Sequence, residues 1–210
     1  MVDIAALQDR LLAFARVADE LYGHYLDSTV GFLANERMIE ESQRRPLAGV
    51  PPGVNRDALS FYYGNGDPND PKSRVLHRTT QGAYRVRNAK GGANHVRASQ
   101  LLLVLLYEYW ESEHRSKVAM ALGVDRDALK VPFIGDLRLL RQDVIHHQGV
   151  VRPETVEKLA VLGGFTQNAA IALSGEQVED LIVGLKAALD ELAVKYGTSD
   201  PNYRGVWLVQ

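Results

Sequence analysis

Two arginines, an aspartate and two adjacent histidines lie within ten residues of one predicted helix, a combination that no other stretch of the chain repeats. These candidate residues are Arg138, Arg141, Asp143, His146 and His147. The helix is predicted over residues 131–152 because Leu137, Leu140, Val144 and Ile145 are spaced to line one face of it. Gly149 is typical of a helix end, and imidazoles in the last turn suit the negative end of the helix dipole.

An arginine and a histidine together can promote the cleavage of RNA. Arginine binds a phosphate with a planar, permanently charged fork, and histidine transfers protons near neutral pH. The 2′-hydroxyl of the RNA supplies the nucleophile, so the protein provides only acid–base help and charge stabilisation. Arg141 and His146 are five residues apart and lie about 140° apart around a helix. They converge if the helix loosens at Gly149 or if a second copy of the helix completes the site.

A second part of the chain, a basic segment without acidic residues, is also suited to binding a phosphate backbone. From Pro71 to Tyr107 there is no Asp or Glu. The same segment contains seven cations: Lys72, Arg74, Arg78, Arg85, Arg87, Lys90 and Arg97. Such a patch is the electrostatic footprint expected for a nucleic-acid backbone. A solvated basic loop, or cations paired with acids on the long helices, is an equally open interpretation.

Hydrophobic periodicity predicts an all-α fold. Helices are predicted over residues 3–43, 94–122 and 131–152, with a short turn at 153–162 and a last helix from the Ser174/Gln177 capping box to about residue 196. The run 101–106 is apolar on all sides, which predicts that its middle is central in the core, and Trp110 is expected to anchor that core. The predicted architecture is an up-and-down bundle of four to five helices.

A long irregular insertion interrupts the helical pattern at about residues 46–93. It is rich in Pro, Gly, Asn and Asp, and a short hairpin is predicted within it at Val75–Val86. We therefore predict a single helical domain over 1–196 that carries this insertion. The C-terminal tail, 197–210, is expected to dock through Trp207 and Leu208.

Composition excludes several classes of protein. The chain has 46% hydrophobic and 24% charged residues and a net charge of -2, which is ordinary for a globular protein. It has no Cys, which suits the cytoplasm, and its first residues do not predict a signal peptide. The longest apolar run is too short to cross a bilayer. Adjacent histidines point about 100° apart on a helix, so no metal or other cofactor is predicted.

The stretch LRLLRQDVIHHQG resembles the signature of the HEPN superfamily, an arginine followed by four to six residues and then a histidine, late in a small helical bundle. Arg141 matches the arginine of that signature and His146 the histidine at four-residue spacing, and His147 fits the five-residue spacing. The family prefers Asn, Asp or His directly after the arginine, whereas this chain has Gln142 there and Asp143 one place later.

The resemblance implies a metal-independent endoribonuclease that leaves a 2′,3′-cyclic phosphate and acts in a toxin–antitoxin, antiviral defence or RNA-processing setting. It implies a homodimer in which two motifs form one composite cleft, with RNA as substrate and an antitoxin or other protein as partner. The catalytic set would be Arg141, His146, His147 and Asp143. The residues predicted to contact RNA are Arg138 and the seven basic residues, the latter from their charge pattern, because the resemblance does not explain the basic insertion. The alternatives are a non-catalytic HEPN-like module that binds RNA or protein, and a helical dimerisation or scaffold protein.

Overall fold

The computed structural model describes residues 2–46, 51, 53–67 and 69–198 of the 210-residue chain. It is mostly helical and has one small antiparallel sheet. The helices are α1 (Ile4–Arg44), α2 (Gln81–Asn88), α3 (Ala93–Tyr109), α4 (Arg115–Leu122), α5 (Pro132–His146), α6 (Pro153–Lys158) and α7 (Gly175–Lys195). The strands are β1 (Ser60–Asn65) and β2 (Arg74–Thr80), and a π-helical turn, Trp110–His114, joins α3 to α4.

The chain divides into two units of close internal contact. The helical unit combines residues 1–26 with the chain from 97 onward, and the hairpin unit comprises Asp27–Val96. The predicted insertion, 46–93, lies inside the hairpin unit, which also includes the last part of α1 and the start of α3. The predicted docking of the tail through Trp207 and Leu208 falls on residues outside those that the structure describes.

The core of the helical unit is built from the apolar sides of α1, α3, α5 and α7. Its fully buried members include Leu7, Leu11, Phe14, Leu103, Leu106, Leu137, Leu140, Leu185 and Leu189. Burial of each such side chain contributes about 1.5–3 kcal/mol, so this core fixes the rotation of α5 about its axis. Trp110 is 2% exposed, which confirms the prediction that it anchors the core.

Local sequence signals set the ends of two helices. Gly123 follows α4 with φ +66°, a left-handed conformation that glycine adopts at low cost. The Ser174 hydroxyl accepts a hydrogen bond from the amide of Gln177, and the Gln177 side chain accepts one from the amide of Ser174. The predicted capping box at the start of α7 is therefore confirmed. Among the described helices, none has the length and apolar character needed to cross a membrane.

One side of α3 is more exposed than its sequence predicts. Leu103, in the middle of the run 101–106, is fully buried as predicted, but Leu101 and Leu105 are 52% and 37% exposed. Tyr109, one turn further on, is 41% exposed. Residues four apart lie along one face of a helix, so these three form a continuous apolar surface, called here the α3 stripe.

The hairpin unit contains a two-stranded sheet that packs on α2. Strands β1 and β2 are antiparallel, with Tyr62 opposite Arg78 and a bulge after Tyr63. The ring of Phe61 lies 4.1 Å from that of Tyr84, centroid to centroid, and the hydroxyls of Tyr63 and Tyr84 are 2.9 Å apart. Burial, reinforced by this hydrogen bond, raises the pKa of Tyr84 to about 12.

The hairpin is present, but not where the sequence predicted it. Val75–Val86 comprises most of β2 and then the first turns of α2, and the partner strand, β1, comes earlier in the chain. The hydroxyl of Thr80 accepts a hydrogen bond from the amide of Ala83 and so caps α2. This cap turns the chain into a helix at the point where a second strand was expected.

The imidazole of His114 in the π-helical turn is predicted to make stability depend on pH. His114 is 4% exposed, its ring lies 5.0 Å from that of Phe14, and neither nitrogen makes a hydrogen bond of normal geometry to a described residue. Burial lowers the pKa of His114 below its usual 6.5. The unfolded chain therefore binds this proton more readily than the folded protein does.

The free energy of unfolding should consequently fall as pH decreases through and below 6.5, by up to about 1.4 kcal/mol per pH unit for this single group. Denaturant titrations of wild type and His114→Leu between about pH 5 and pH 8, the range in which histidine changes charge, measure the effect. As the pH decreases, the free energy of unfolding of wild type should fall relative to that of His114→Leu. Parallel pH profiles would contradict the assignment to His114.

Candidate functional site

Helix α5 is regular up to its last residue, His146. At about 100° per residue, Arg141 and His146 therefore remain about 140° apart around its axis. The chain leaves the helical conformation only at His147, so loosening near Gly149 does not bring Arg141 and His146 together. Both histidines are exposed. A single chain thus presents the two predicted residues in different directions.

A tight turn follows α5 and carries the second histidine. The amides of His147 and Gly149 both donate hydrogen bonds to the carbonyl oxygen of Asp143, each at 3.0 Å. Gln148 and Gly149 adopt left-handed conformations, with φ of +55° and +77°. The strained conformation of Gln148 is held in place by these bonds, which define the direction of the chain after His146.

Asp143 is fully buried and holds this turn to the next segment of the chain. Its carboxylate accepts hydrogen bonds from the backbone amide of Arg152 at 3.1 Å and from Arg152 Nε at 2.6 Å. Both oxygens are occupied by these bonds. The structure therefore places Asp143 behind the histidine-bearing turn, away from the surface on which His146 is exposed.

Arg141 is held by a carboxylate from α3. Its Nε and Nη2 atoms each lie 2.8 Å from Glu108 Oε1. The side chains of Arg141 and Glu108 are 29% and 43% exposed, so solvent reaches the pair. A carboxylate and a phosphate present similar oxygens to a guanidinium group. Glu108 therefore occupies a position on Arg141 that a phosphate oxygen would take.

Arg138 lies one turn before Arg141 and is exposed. Asp136, two residues before Arg138, is only 2% exposed and accepts hydrogen bonds from the backbone amides of residues 160–162. No ion pair to Arg138 is present among the described residues. Burial raises the pKa of Tyr107, and the charges of Arg138, Arg115 and Arg141 partly offset this rise. The charges of these three guanidinium groups therefore act on the Tyr107 hydroxyl.

The predicted basic segment is divided between the two units. Six of its seven cations belong to the hairpin unit, whereas Arg97 belongs to the helical unit and donates to Gln100 Oε1 at 2.8 Å. Lys72, Arg74, Arg78 and Lys90 are exposed, while Arg85 and Arg87 are half-buried. Arg85 pairs with Asp57 at 2.9 Å, so this cation is compensated by an acid outside the segment.

Sequence patterns did not identify four residues that shape the site: Tyr107, Glu108, Arg152 and Gln100. Glu108 is the first acid after the acid-free segment, which was the only sequence signal for it. Arg152 contacts Asp143 across nine residues of chain, and Gln100 contacts the carbonyl of Ile171 across seventy-one. Separations of this kind carry no periodic signal.

A glycine substitution is predicted to show how tightly the turn is packed. A Cβ at Gly149 would overlap the side chain of Gln100, which is 3% exposed and is fixed by its hydrogen bond to Ile171. The residue also has a positive φ. Gly149→Ala should therefore lower the free energy of unfolding by about 1–3 kcal/mol.

Gly135→Ala provides the matched control. Gly135 lies in α5, and a Cβ there would meet nothing within 4 Å. This substitution should stabilise the protein by about 0.5–1 kcal/mol. Denaturant unfolding measures both variants, and equal stability of the two would contradict the described packing of Gly149 on Gln100.

Other features of the helical unit lie away from these residues. A cavity of about 330 Å³ lies between the start of α5 and α7, with Phe133, Gly184 and Leu192 in its wall. Within the described chain, no three His, Cys, Asp or Glu side chains are grouped as metal ligands. No protein-family model, curated protein or solved structure matches this chain.

Proposed function

We propose that this protein is a metal-independent endoribonuclease of the HEPN type. The observation that supports this best is that Arg141 and His146 both lie on α5 and are both accessible to solvent. Each is next to a part of the structure that hydrogen bonds hold in place. In this proposal the RNA 2′-hydroxyl attacks the adjacent phosphorus and the bond to the 5′-oxygen breaks. The products are a 2′,3′-cyclic phosphate and a free 5′-hydroxyl.

The proposed roles of the side chains follow from their chemistry. An imidazole removes the proton from the 2′-hydroxyl, and an imidazolium protonates the departing 5′-oxygen. His146 is the proposed proton-transfer residue, with His147 as the alternative. Arg141 neutralises the charge that develops on the non-bridging phosphate oxygens. Asp143 is a positioning residue in this scheme, because it is buried and holds the histidine-bearing turn through Arg152.

A second copy of the chain completes the site in this proposal. Arg141 of one copy and His146 of the other would face the same phosphate, which one copy alone does not allow. The α3 stripe supports this arrangement, because a helix places Glu108, the residue bound to Arg141, on the same side as Leu101 and Leu105. An apolar surface of this kind beside the site suits a symmetric contact between two copies.

The pairing of Arg141 with Glu108 predicts a gain of affinity. If Arg141 binds RNA phosphate, the Glu108 carboxylate competes with that phosphate. Glu108→Gln should therefore bind RNA about two- to five-fold more tightly, the range expected for a solvent-exposed ion pair. The matched control is Glu113→Gln, which removes the same charge from an ion pair with Lys117. Equal affinities for the two variants would contradict the role of Arg141.

The experiment that tests the function is RNA cleavage in excess EDTA. Wild type should cut single-stranded RNA and leave 2′,3′-cyclic phosphate ends, identified by mass before and after acid treatment. His146→Ala should not. Cleavage that requires an added divalent ion, or that leaves 3′-hydroxyl ends, would refute the proposed chemistry.

Two observations favour a second candidate, a non-catalytic HEPN-like module that binds RNA or protein. Arg141 is already occupied by Glu108, and Gln142 stands where the family pattern has Asn, Asp or His. This candidate predicts RNA binding with a steep salt dependence and no cleavage. We further propose an up-and-down arrangement of the helices, a cytoplasmic location, and an antitoxin or other protein partner in a defence or RNA-processing setting.

A further inference from the structure

The outer face of the β1–β2 hairpin combines an aromatic ring with a cation. Tyr62 on β1 is directly opposite Arg78 on β2, so their side chains share one face of the strand pair. Tyr62 is 36% exposed, and Arg78 is also exposed. Among the described residues, neither side chain has a hydrogen bond, ion pair or ring contact. Both groups are thus available to a ligand.

The other face of the hairpin is fixed against α2. Phe61 and Tyr63 alternate with Tyr62 along β1, and both contact the buried ring of Tyr84. The guanidinium of Arg87 lies 4.9 Å from the centroid of the same ring. Because successive side chains of a strand point to opposite faces, this packing directs Tyr62 outward. The packing of the inner face on α2 therefore holds the outer face of the hairpin in place.

The charge around this platform is positive. Neither strand contains an acidic residue, and Lys72, Arg74 and Arg78 lie at or near β2. The two acids of the connecting turn, Asp67 and Asp70, accept hydrogen bonds from the backbone amides of Asn69 and Lys72. The hairpin unit as a whole has ten Lys and Arg against seven Asp and Glu, although the chain has a net charge of -2. Charge is thus locally complementary to a polyanion.

We propose that this face, called the Tyr62 platform and comprising Tyr62 and Arg78, binds single-stranded RNA. An unpaired base stacks on the ring of Tyr62, and Arg78 contacts a neighbouring phosphate. A duplex keeps its bases stacked on each other, so it offers only phosphates to this surface. The platform thereby selects single strands with little preference for base sequence. The choice of RNA as polyanion rests on the proposed function.

The test is binding of a labelled 20-nucleotide oligo-uridine and of an RNA duplex of equal length to the full chain, with His146→Ala as background to prevent cleavage. Tyr62→Ala should weaken single-strand binding about 10- to 100-fold and leave duplex affinity unchanged. Tyr62→Phe, the matched control, keeps the ring and should bind as tightly as the background protein. Arg78→Ala should weaken the binding of both ligands. It should also reduce the slope of log affinity against log salt concentration by about one.

Arg37→Ala, an exposed arginine on α1 in the same unit, controls for loss of charge alone and should change affinity less than Arg78→Ala does. The proposal is overturned if Tyr62→Ala binds single strands with the affinity of the background protein, or if its affinities for single strand and duplex fall equally. It is also overturned if the same variants lose binding to poly-glutamate, since the face would then dock acidic protein. Cleavage by wild type with unchanged binding by Tyr62→Ala would refute the platform alone. Absence of both binding and cleavage would refute the platform and the proposed function together.

Discussion

Replacing His146 with alanine is expected to lower the rate of RNA cleavage about 10²- to 10⁴-fold, the usual contribution of a positioned acid–base group. His146 is exposed at the end of α5, so its loss should leave the free energy of unfolding within about 0.5 kcal/mol of wild type. The measurement is a single-turnover cleavage rate with end-labelled RNA in EDTA, together with thermal unfolding of each protein.

His147→Ala is the matched control for this prediction, because it removes the same group from the next position in an equally exposed place. It should reduce the rate less than His146→Ala does. The opposite order would move the proton-transfer role to His147. Arg141→Lys keeps the charge but loses the planar fork, and it should also cleave slowly. If both His146→Ala and Arg141→Lys cleave RNA at the wild-type rate, the proposed roles of these two α5 residues in cleavage are wrong.

Removal of the Asp19 carboxylate is expected to have the largest effect on stability. Lys186 on α7 is 1% exposed, and its ammonium group forms an ion pair with Asp19 on α1. Burial raises the pKa of Asp19 despite the opposing effect of Lys186, so the pair is costly to desolvate. Asp19→Ala deprives a buried ammonium of this counter-charge and should lower the free energy of unfolding by about 3–5 kcal/mol.

Lys186→Met separates loss of charge from loss of packing. Methionine fills much of the same volume without a charge, so this variant should be close to wild type or slightly more stable. The double variant Asp19→Ala/Lys186→Met should recover most of the loss caused by Asp19→Ala. Denaturant titrations of the four proteins complete the cycle. A double variant as unstable as Asp19→Ala would contradict the explanation by a buried charge.

Much of α5 was predictable from the sequence. The spacing of Leu137, Leu140, Val144 and Ile145 predicted the buried side of this helix. The first three are buried, but Ile145 is 50% exposed, so the prediction is wrong for that residue. The same periodicity located α1 and α7, because a helix that faces one core repeats its apolar residues every three or four positions. The same pattern left Arg141 and His146 off that buried side, although they point in different directions around the helix.

Contacts between distant segments were not predictable. The Arg141–Glu108 pair joins residues 33 apart in the chain, and the Asp143–Arg152 pair depends on how the chain turns after α5. The exposure of Leu101 was missed because an all-apolar run gives no sign of which side meets the core. The hairpin was misplaced because β1, SFYYGN, lacks the alternation of apolar and polar residues that marks a strand.

The most direct test of the composite site is the activity of a mixed dimer. Arg141→Ala and His146→Ala chains with different affinity tags are produced together, and the species carrying both tags is purified and assayed for RNA cleavage in EDTA. If Arg141 of one copy acts with His146 of the other, one of two equivalent pairings survives, and the mixed dimer should cleave at roughly half the wild-type rate. A purified mixed species as inactive as either variant alone would contradict this account.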